Sequence, residues 1–250
     1  MEDNLKDIIN EFKRINKLGY IKGIHNNLMN SAGLTFESLL GKKADSIYFP
    51  DYKDIEIKTT QRFSRYPITL FTSSFDGPNL FESNDILNKY GHYDIEFTNT
   101  KILITPLIFK EKILVHNYYF EIDMDIKQEI LFINIYDINF NFLEKRGIIN
   151  FKTLSDKLII KLQNLCVIYA SKKKIENNLY FRYYKIECYK LKSFETFISL
   201  ISEKKININL SLRISRSGIY KGKNKNKNLV FSINKNDLDL LFDKIYEYEN

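Results

Sequence analysis

A chain of 250 residues, 44% of them hydrophobic and 28% charged, can bury a sizeable core and is too apolar to be disordered throughout. It has no run of eighteen apolar residues, as a membrane-spanning helix needs, and its acidic, amphipathic start does not resemble a signal peptide. Cys166 and Cys188 are too few for a disulfide framework, and no Cys/His spacing fits a zinc site. We therefore expect a cytoplasmic globular protein.

Apolar periodicity and turn residues predict helices and strands in alternation along the chain. The predicted helices are 3–18, 31–40, 82–90, 151–165, 193–201 and 236–246. The predicted strands are 55–60, 68–73, 93–98, 110–122, 129–137, 167–171, 180–188, 206–214 and 229–233. This order predicts an α/β fold with a mixed sheet. With only four prolines and nine glycines, no linker marks a domain boundary, so we expect a single domain.

Positive charge is concentrated near the C-terminus. The chain has 38 basic and 31 acidic residues, a net charge of +7, and residues 204–227 contain eight Lys/Arg and no Asp/Glu. A basic cluster on a folded chain suggests a polyanionic partner, although a solvated loop would have the same composition. Because predicted strands flank residues 215–228, we expect that basic segment to form a hairpin loop.

Charged residues also cluster where the strand 55–60 begins, in the sequence FPDYKDIEIK of residues 49–58. Residues two apart on a strand face the same way, so Glu56 and Lys58 project together, with Asp51 just ahead of them. Carboxylates supply oxygen ligands for Mg²⁺, which can polarise a phosphoryl oxygen. Lys58 can orient water or stabilise charge on the phosphate. An amphipathic edge strand would show the same pattern.

An acid near an X-Pro bend, followed by Glu-Ile-Lys at the start of a strand, is the arrangement of the PD-(D/E)xK nucleases. With Glu37 in a preceding predicted helix, this order resembles the MvaI/BcnI family of type II restriction endonucleases. It is more distantly similar to the nicking enzyme of methyl-directed mismatch repair. The segments 151–155, 170–177 and 213–223 share in the resemblance, which covers nearly the whole chain.

The resemblance implies a restriction-endonuclease-like fold, in which helices flank a mixed β-sheet core. It implies one PD-(D/E)xK endonuclease domain over residues 1–250, with room for two lobes. The catalytic lobe would span about 1–150 and the DNA-recognition lobe about 151–250.

The resemblance also assigns roles in the site. Asp51 and Glu56 match the metal ligands, Lys58 matches the catalytic lysine, and Glu37 matches the helix-borne acid that completes the site. The backbone carbonyl of Ile57 is a further ligand, and the implied cofactor is Mg²⁺.

Basic side chains near the C-terminus are candidates for DNA contact, because lysine neutralises phosphates and arginine can bind guanine in a bidentate manner. The candidates are Arg213, Arg216, Lys221, Lys223, Lys225 and Lys227. Lys172–Lys174 is a second candidate for phosphate contact, although a polar turn would have the same composition. Histidines, which we associate with the base-reading loop of the MvaI branch, are missing from this segment, so the recognition sequence does not carry over.

The expected function is Mg²⁺-dependent hydrolysis of phosphodiester bonds in a short, specific site of double-stranded DNA. The resemblance implies a monomer that nicks the two strands in turn and a cognate DNA methyltransferase as its genetic partner. Two alternatives stay open. One is a sequence-specific DNA-binding protein that keeps the fold without cleaving, and the other is a mismatch-repair nickase.

Overall fold

The computed structural model describes residues 2–25, 30–41, 49–61, 63–76, 82–216 and 221–250, and for residues 2 and 224–228 it describes the backbone alone. The helices are α1 (Glu2–Asn16), α2 (Ser31–Leu39), α3 (Glu82–Tyr90), α4 (Phe151–Leu162), α5 (Phe194–Ser202) and α6 (Leu238–Leu241), the last preceded by a 3-10 helix at Lys235–Asp237. No helix in these ranges is both long enough and apolar enough to cross a membrane.

Fourteen strands lie in the same described ranges. They are β1 (Ile21–Lys22), β2 (Glu56–Gln61), β3 (Ile68–Ser73), β4 (His92–Tyr93), β5 (Lys101–Leu107), β6 (Ile113–Val115), β7 (Tyr118–Asp125), β8 (Ile130–Asp137), β9 (Phe142–Asn150), β10 (Asn164–Ile175), β11 (Asn178–Leu191), β12 (Ile206–Ile214), β13 (Asn224–Ile233) and β14 (Phe242–Glu249).

The chain forms two compact units from interleaved segments. Unit 1 consists of Met1–Ile68, Leu158–Ser193 and Leu238–Asn250, and unit 2 consists of Thr69–Lys157 and Phe194–Asp237. The predicted lobes, divided near residue 150, do not follow these segments, because β2 pairs with β10 from much later in the sequence. The assignment of catalysis and DNA recognition to separate lobes stays a prediction.

Unit 1 is built on a mixed sheet with the order β1-β11-β10-β2, and β14 also pairs with β11. β2 runs parallel to β10, whereas β11 is antiparallel to β10, β1 and β14. One face of this sheet packs against α1 and α2, and we call it the core face. Its buried cluster consists of Ile8, Phe12, Ile15, Ala32, Phe36, Ile55, Ile57, Cys166, Ile168, Ala170, Phe181, Tyr183, Ile186 and Cys188. Both cysteines are buried, and neither forms a disulfide.

Unit 2 contains two sheets, with the strand orders β3-β13-β12-β5-β4 and β6-β7-β8-β9. β12 pairs antiparallel with both β13 and β5. Aromatic packing joins α5 to the first sheet, because Phe71 of β3 has its ring centroid 4.9 Å from that of Phe231 and 5.7 Å from that of Phe197.

Several predicted elements are wrong in part. The strand predicted at 93–98 stops at Tyr93, since Asp94 accepts hydrogen bonds from the N–H groups of Glu96 and Phe97 and closes a turn. The strand at 110–122 is a hairpin of β6 and β7, with His116 at φ 53° in its turn. The helix at 236–246 ends at Leu241, and the chain continues as β14.

Besides β14, three of the described strands were not predicted, namely β1, β5 and β9. β5 contains Pro106, which argues against a central strand, and β9 contains Gly147 at φ 63°. Both interruptions hide the period-2 pattern that identifies a strand.

Candidate active site

Strand β2 brings Glu56 and Lys58 to one face of the unit 1 sheet, as the alternation predicts. Lys58 Nζ donates a hydrogen bond to Glu56 Oε1 at 2.5 Å. The Glu56 side chain is 1% exposed and that of Lys58 is 25% exposed. Ile55 and Ile57 point the other way, into the core cluster. We call the face that carries Glu56 and Lys58 the site face.

Asp51 is held beside this strand by the backbone. The N–H of Ile57 donates to Asp51 Oδ2 at 3.1 Å. Tyr52 and Ile55 exchange backbone hydrogen bonds of 2.9 and 2.8 Å, which close a tight turn between Asp51 and the strand. The turn explains how an acid that precedes the strand reaches the second acid within it.

The environment of Glu56 opposes ionisation. Burial raises the pKa of the Glu56 carboxyl, and the nearby Asp51 charge raises it further, while Lys58 and Lys161 pull it down without cancelling the shift. Glu56 Oε2 is buried and has no hydrogen-bond partner among the described residues. A buried carboxylate oxygen without a partner costs free energy, which a bound cation would offset.

Oxygen donors of this kind suit Mg²⁺. Asp51 and Glu56 supply two carboxylates at the start of β2. Ile57 supplies a backbone carbonyl between Glu56 and Lys58. Among the described residues, no three His, Cys, Asp or Glu side chains cluster to hold a metal. The predicted ligand set therefore needs the backbone carbonyl and water in addition to the two carboxylates.

A second lysine, which sequence reasoning missed, approaches the same carboxylate. Lys161 of α4 has its Nζ 3.5 Å from Glu56 Oε1, and its side chain is 28% exposed. The spacing could have predicted this position. Lys161 lies three residues after Leu158, which is buried, so both residues lie on the same side of the helix.

Glu37 lies on α2, as predicted, close to β2. A Cβ atom added at Gly33 would lie 3.7 Å from Glu37 Oε1 and 3.9 Å from Thr59 Oγ1. Thr59 alternates with Glu56 and Lys58, so these contacts place Glu37 near the core face of β2. Burial, with a contribution from the Glu37 charge, raises the pKa of the Tyr183 hydroxyl. A catalytic role for Glu37 stays a prediction.

The site face continues across the neighbouring strands. Lys58 is in register with Val167 of β10, and Val167 is in register with Glu187 of β11. Because cross-strand partners point to the same side of a sheet, Glu187 shares the face of Lys58.

Glu187 is buried in a network of donors on this face. Its carboxylate accepts hydrogen bonds from Tyr169 at 2.5 Å, Tyr189 at 3.0 Å and Lys244 at 3.0 Å, and Lys185 lies 3.0 Å away. Burial alone would raise the pKa of Glu187, but these donors outweigh it and lower that pKa to about 2. The network is a satisfied ion cluster, in contrast to the orphaned oxygen of Glu56.

The DNA-binding candidates belong to unit 2. Arg213 is exposed on β12, in register with Lys225, and forms no ion pair with another described residue. Lys223 is also exposed. Lys225 and Lys227 lie within β13, which begins at Asn224, so much of the expected loop is strand. Their side chains fall outside the described part of the chain, as do residues 217–220.

Arg216 is engaged within the protein. Its NH1 donates to Asp94 Oδ1 at 2.8 Å and to Glu96 Oε2 at 3.1 Å, and its NH2 contacts Asp94 Oδ2. The pKa of the Asp94 carboxyl is lowered, and the hydrogen bond from Arg216 is the largest cause. Lys221 lies 3.8 Å from Glu96. The guanidinium of Arg216 is therefore occupied, whereas that of Arg213 projects into solvent.

Comparison with known proteins agrees with this geometry. Residues 9–242 match the model of the MvaI/BcnI restriction endonuclease family. The chain is similar to a restriction endonuclease MvaI–cognate DNA substrate complex, with a TM-score of 0.90 and 25% identity over 98% of both chains. It is also similar to restriction endonuclease MvaI in the absence of DNA, with a TM-score of 0.60 and 26% identity over 98% of both chains. No curated protein sequence matches it significantly. The predicted resemblance and the restriction-endonuclease-like fold are confirmed.

Proposed function

Because the chain belongs to the MvaI/BcnI restriction endonuclease family, we propose that it is a type II restriction endonuclease that uses Mg²⁺ to hydrolyse phosphodiester bonds in a short, specific site of double-stranded DNA. The observation that carries the proposal is the convergence of Asp51, Glu56 and Lys58, with one buried Glu56 oxygen that no described residue hydrogen-bonds. This is a PD-(D/E)xK arrangement with its charged positions intact.

The roles follow from the contacts. Asp51, Glu56 and the backbone carbonyl of Ile57 would hold Mg²⁺. When bound, Mg²⁺ supplies Lewis-acid polarisation of the scissile phosphate. Lys58, beside Glu56, presents N–H donors that orient the attacking water and stabilise charge developing on the phosphate. Glu37 is the proposed supporting acid from α2.

DNA contact falls to the basic residues of β12, β13 and the segment between them. Arg213 has the exposed guanidinium that a guanine contact requires. Lys221, Lys223, Lys225 and Lys227 supply charge for phosphates, and Arg216 organises the base of this segment through Asp94. The structural neighbour solved with cognate DNA supports duplex DNA as the partner.

The wider setting is proposed from the same family. The enzyme acts as a cytoplasmic monomer and nicks each strand in turn. A cognate methyltransferase protects the host site, since an unmodified site would be cut. Light scattering at micromolar protein concentration tests the monomer, and a stable dimer would contradict sequential nicking.

Cleavage is tested directly by incubating plasmid and genomic DNA with the protein in Mg²⁺ or in EDTA and mapping the new ends by sequencing. We expect Mg²⁺-dependent ends at one short sequence. Site-specific binding without cleavage would favour the non-cleaving alternative, and single-strand nicks alone would favour the nickase.

Two substitutions connect cleavage to the site. Asp51→Ala and Lys58→Ala should each abolish cleavage. Asp51→Ala should change the free energy of unfolding by only roughly 0.5 kcal/mol. Lys58→Ala should destabilise the protein more, because the buried Glu56 loses its nearest cation. Lys53→Ala is the matched control, because Lys53 is near in sequence yet pairs with Asp7 at 2.5 Å on the surface. Wild-type cleavage by Lys58→Ala would overturn the assignment.

A further inference from the structure

The site face carries a second set of polar side chains at the far end of the β10–β11 hairpin. Lys173 of β10 is in register with Tyr180 of β11, which is in register with Lys22 of β1. Ser171 is likewise in register with Arg182. These pairs extend the sheet beyond the end of β2 at Gln61.

Strand alternation places this set on the same face as the catalytic lysine. From Val167, the partner of Lys58, every second residue of β10 leads to Ser171 and Lys173. The intervening residues Cys166, Ile168 and Ala170 belong to the core cluster, as this alternation requires. The register shift near Tyr169 adds its extra residue to β11, so the alternation of β10 is not broken.

The side chains of this set are accessible to solvent, and Tyr20 contacts two of them. Lys173 Nζ lies 5.8 Å from the ring centroid of Tyr20, whose hydroxyl lies 3.3 Å from Ser171 Oγ. Lys22 and Lys173 are exposed, and Arg182 is partly exposed. Tyr20 thus positions a lysine that stays in contact with solvent.

Their positive charge is not compensated. Lys22, Lys173 and Arg182 form no ion pair with any residue in the described part of the chain. Elsewhere on this face the lysines are paired, since Lys58 contacts Glu56 and Lys185 contacts Glu187. Unpaired cations on a surface that otherwise pairs them indicate an external anion.

We propose that Lys22, Lys173 and Arg182 form a track for the phosphate backbone of duplex DNA that continues beyond the cleaved phosphate. The identification of DNA as the ligand rests on the proposed nuclease function. Lysines carry a point charge without a fixed fork, so they suit phosphates rather than base edges.

The strand geometry sets the reach of the track. Lys173 lies about 20 Å from the register level of Lys58, at about 3.3 Å per residue along the strand. That distance corresponds to about six base pairs of B-DNA at about 3.4 Å each. The track would therefore extend the bound length of DNA without reading its sequence.

The hairpin offers a matched control for a test. Of the three lysines 172–174 predicted as a phosphate contact, only Lys173 lies on the site face. Lys172 is in register with the buried Phe181, and Lys174 with Leu179, so both lie on the core-face side of the same hairpin. Lys22→Ala/Lys173→Ala and Lys172→Ala/Lys174→Ala each remove two charges, but from opposite faces.

Binding is measured by titration in EDTA at several salt concentrations, with a long duplex and with one that ends about four base pairs from the mapped cut. On the long duplex, the site-face variant should lose about 1.8 units of slope of log affinity against log salt, at about 0.9 per contact. The control variant should match the wild type on both duplexes, and the site-face variant should match it on the short one.

Equal slopes for the two variants on the long duplex would overturn the track. An equal loss of affinity for single-stranded RNA would overturn it as well, by showing a general polyanion surface. Plasmid cleavage in Mg²⁺ keeps the two proposals apart. If the protein cuts its site but the two variants have equal slopes, only the track proposal is wrong. If the protein cuts no DNA, the proposed nuclease function is wrong.

Discussion

Lys161 Nζ lies 3.5 Å from Glu56 Oε1, the same oxygen that Lys58 contacts at 2.5 Å. One buried carboxylate therefore faces two ammonium groups, one from its own strand and one from helix α4. Both cations favour the ionised form of Glu56, which burial and Asp51 oppose. The charge state of this acid depends on a helix that contains none of the residues predicted for the site.

Lys161→Ala should move the pH dependence of cleavage. Removing the Lys161 charge raises the pKa of Glu56 further, so a smaller fraction of Glu56 is ionised and able to hold a cation. We expect the single-turnover rate profile to shift to higher pH, with a lower rate than the wild type on its acidic side. Lys152→Ala, on the same helix with a side chain 83% exposed, is the control. An unchanged profile would show that Lys161 does not act on Glu56.

Glu56→Gln should stabilise the metal-free protein at about pH 8. The folded-state pKa of Glu56 is raised, so the ionised form costs stability, and stability falls as pH rises through that pKa. The advantage of the variant should shrink as pH falls, because wild-type Glu56 then takes up its proton. Thermal unfolding across pH measures this, with the exposed Glu176→Gln for comparison. A variant less stable than the wild type at high pH would contradict the orphaned-carboxylate description.

Glu187→Gln should lower the stability of the protein near neutral pH, which is the opposite of the effect expected for Glu56→Gln. The folded-state pKa of Glu187 is lowered to about 2, so its stabilisation is fully present above the unfolded pKa of about 4.5 and is lost as pH falls through about 2. We expect a loss on the order of 2 to 3 kcal/mol near neutral pH. Denaturant unfolding should show the two proteins converging below about pH 4. A constant difference at all pH values would mean that packing, not charge, is lost.

Substitution of the two arginines of the basic segment should affect different properties, namely DNA discrimination for Arg213 and stability for Arg216. Arg213→Ala should reduce discrimination between cognate and scrambled DNA by about 1 to 3 kcal/mol, as loss of a bidentate guanine contact does. Arg216→Ala should lower the unfolding midpoint instead, because buried Asp94 loses its partner. Competition titrations and thermal melts on both variants decide the matter. If Arg216→Ala alters discrimination with an unchanged melt, its guanidinium leaves Asp94 to read DNA.

Local pattern was enough to predict much of unit 1. The alternation of residues 55–60 placed Glu56 and Lys58 together, and helical spacing located α1 and α2. The end of α6 was not predictable in this way. Residues 242–249 are apolar at spacings that fit a helix, and they become β14 only because β11 offers an edge for pairing.

The remaining site residues are supplied by contacts that no local pattern contains. Lys161 and Glu187 join the site face because β2 pairs in parallel with β10, far along the chain. Arg216 was predicted as a base reader from its charge, and its partner Asp94 lay in a segment predicted as strand. Sequence spacing shows which residues can meet within an element, but not which elements become neighbours.

The interleaving of unit 1 also bears on synthesis at the ribosome. A nascent chain that has exposed β2 still lacks Leu165, the register partner of Glu56, and the lysine of α4. Strand β2 gains its neighbour in the described sheet only after translation has passed β10, which ends at Ile175, and β14, which pairs with β11, ends at Glu249. A polypeptide that stops before β10 therefore carries Glu56 and Lys58 without the strand and the helix that surround them, so the proposed centre assembles only in the later part of synthesis.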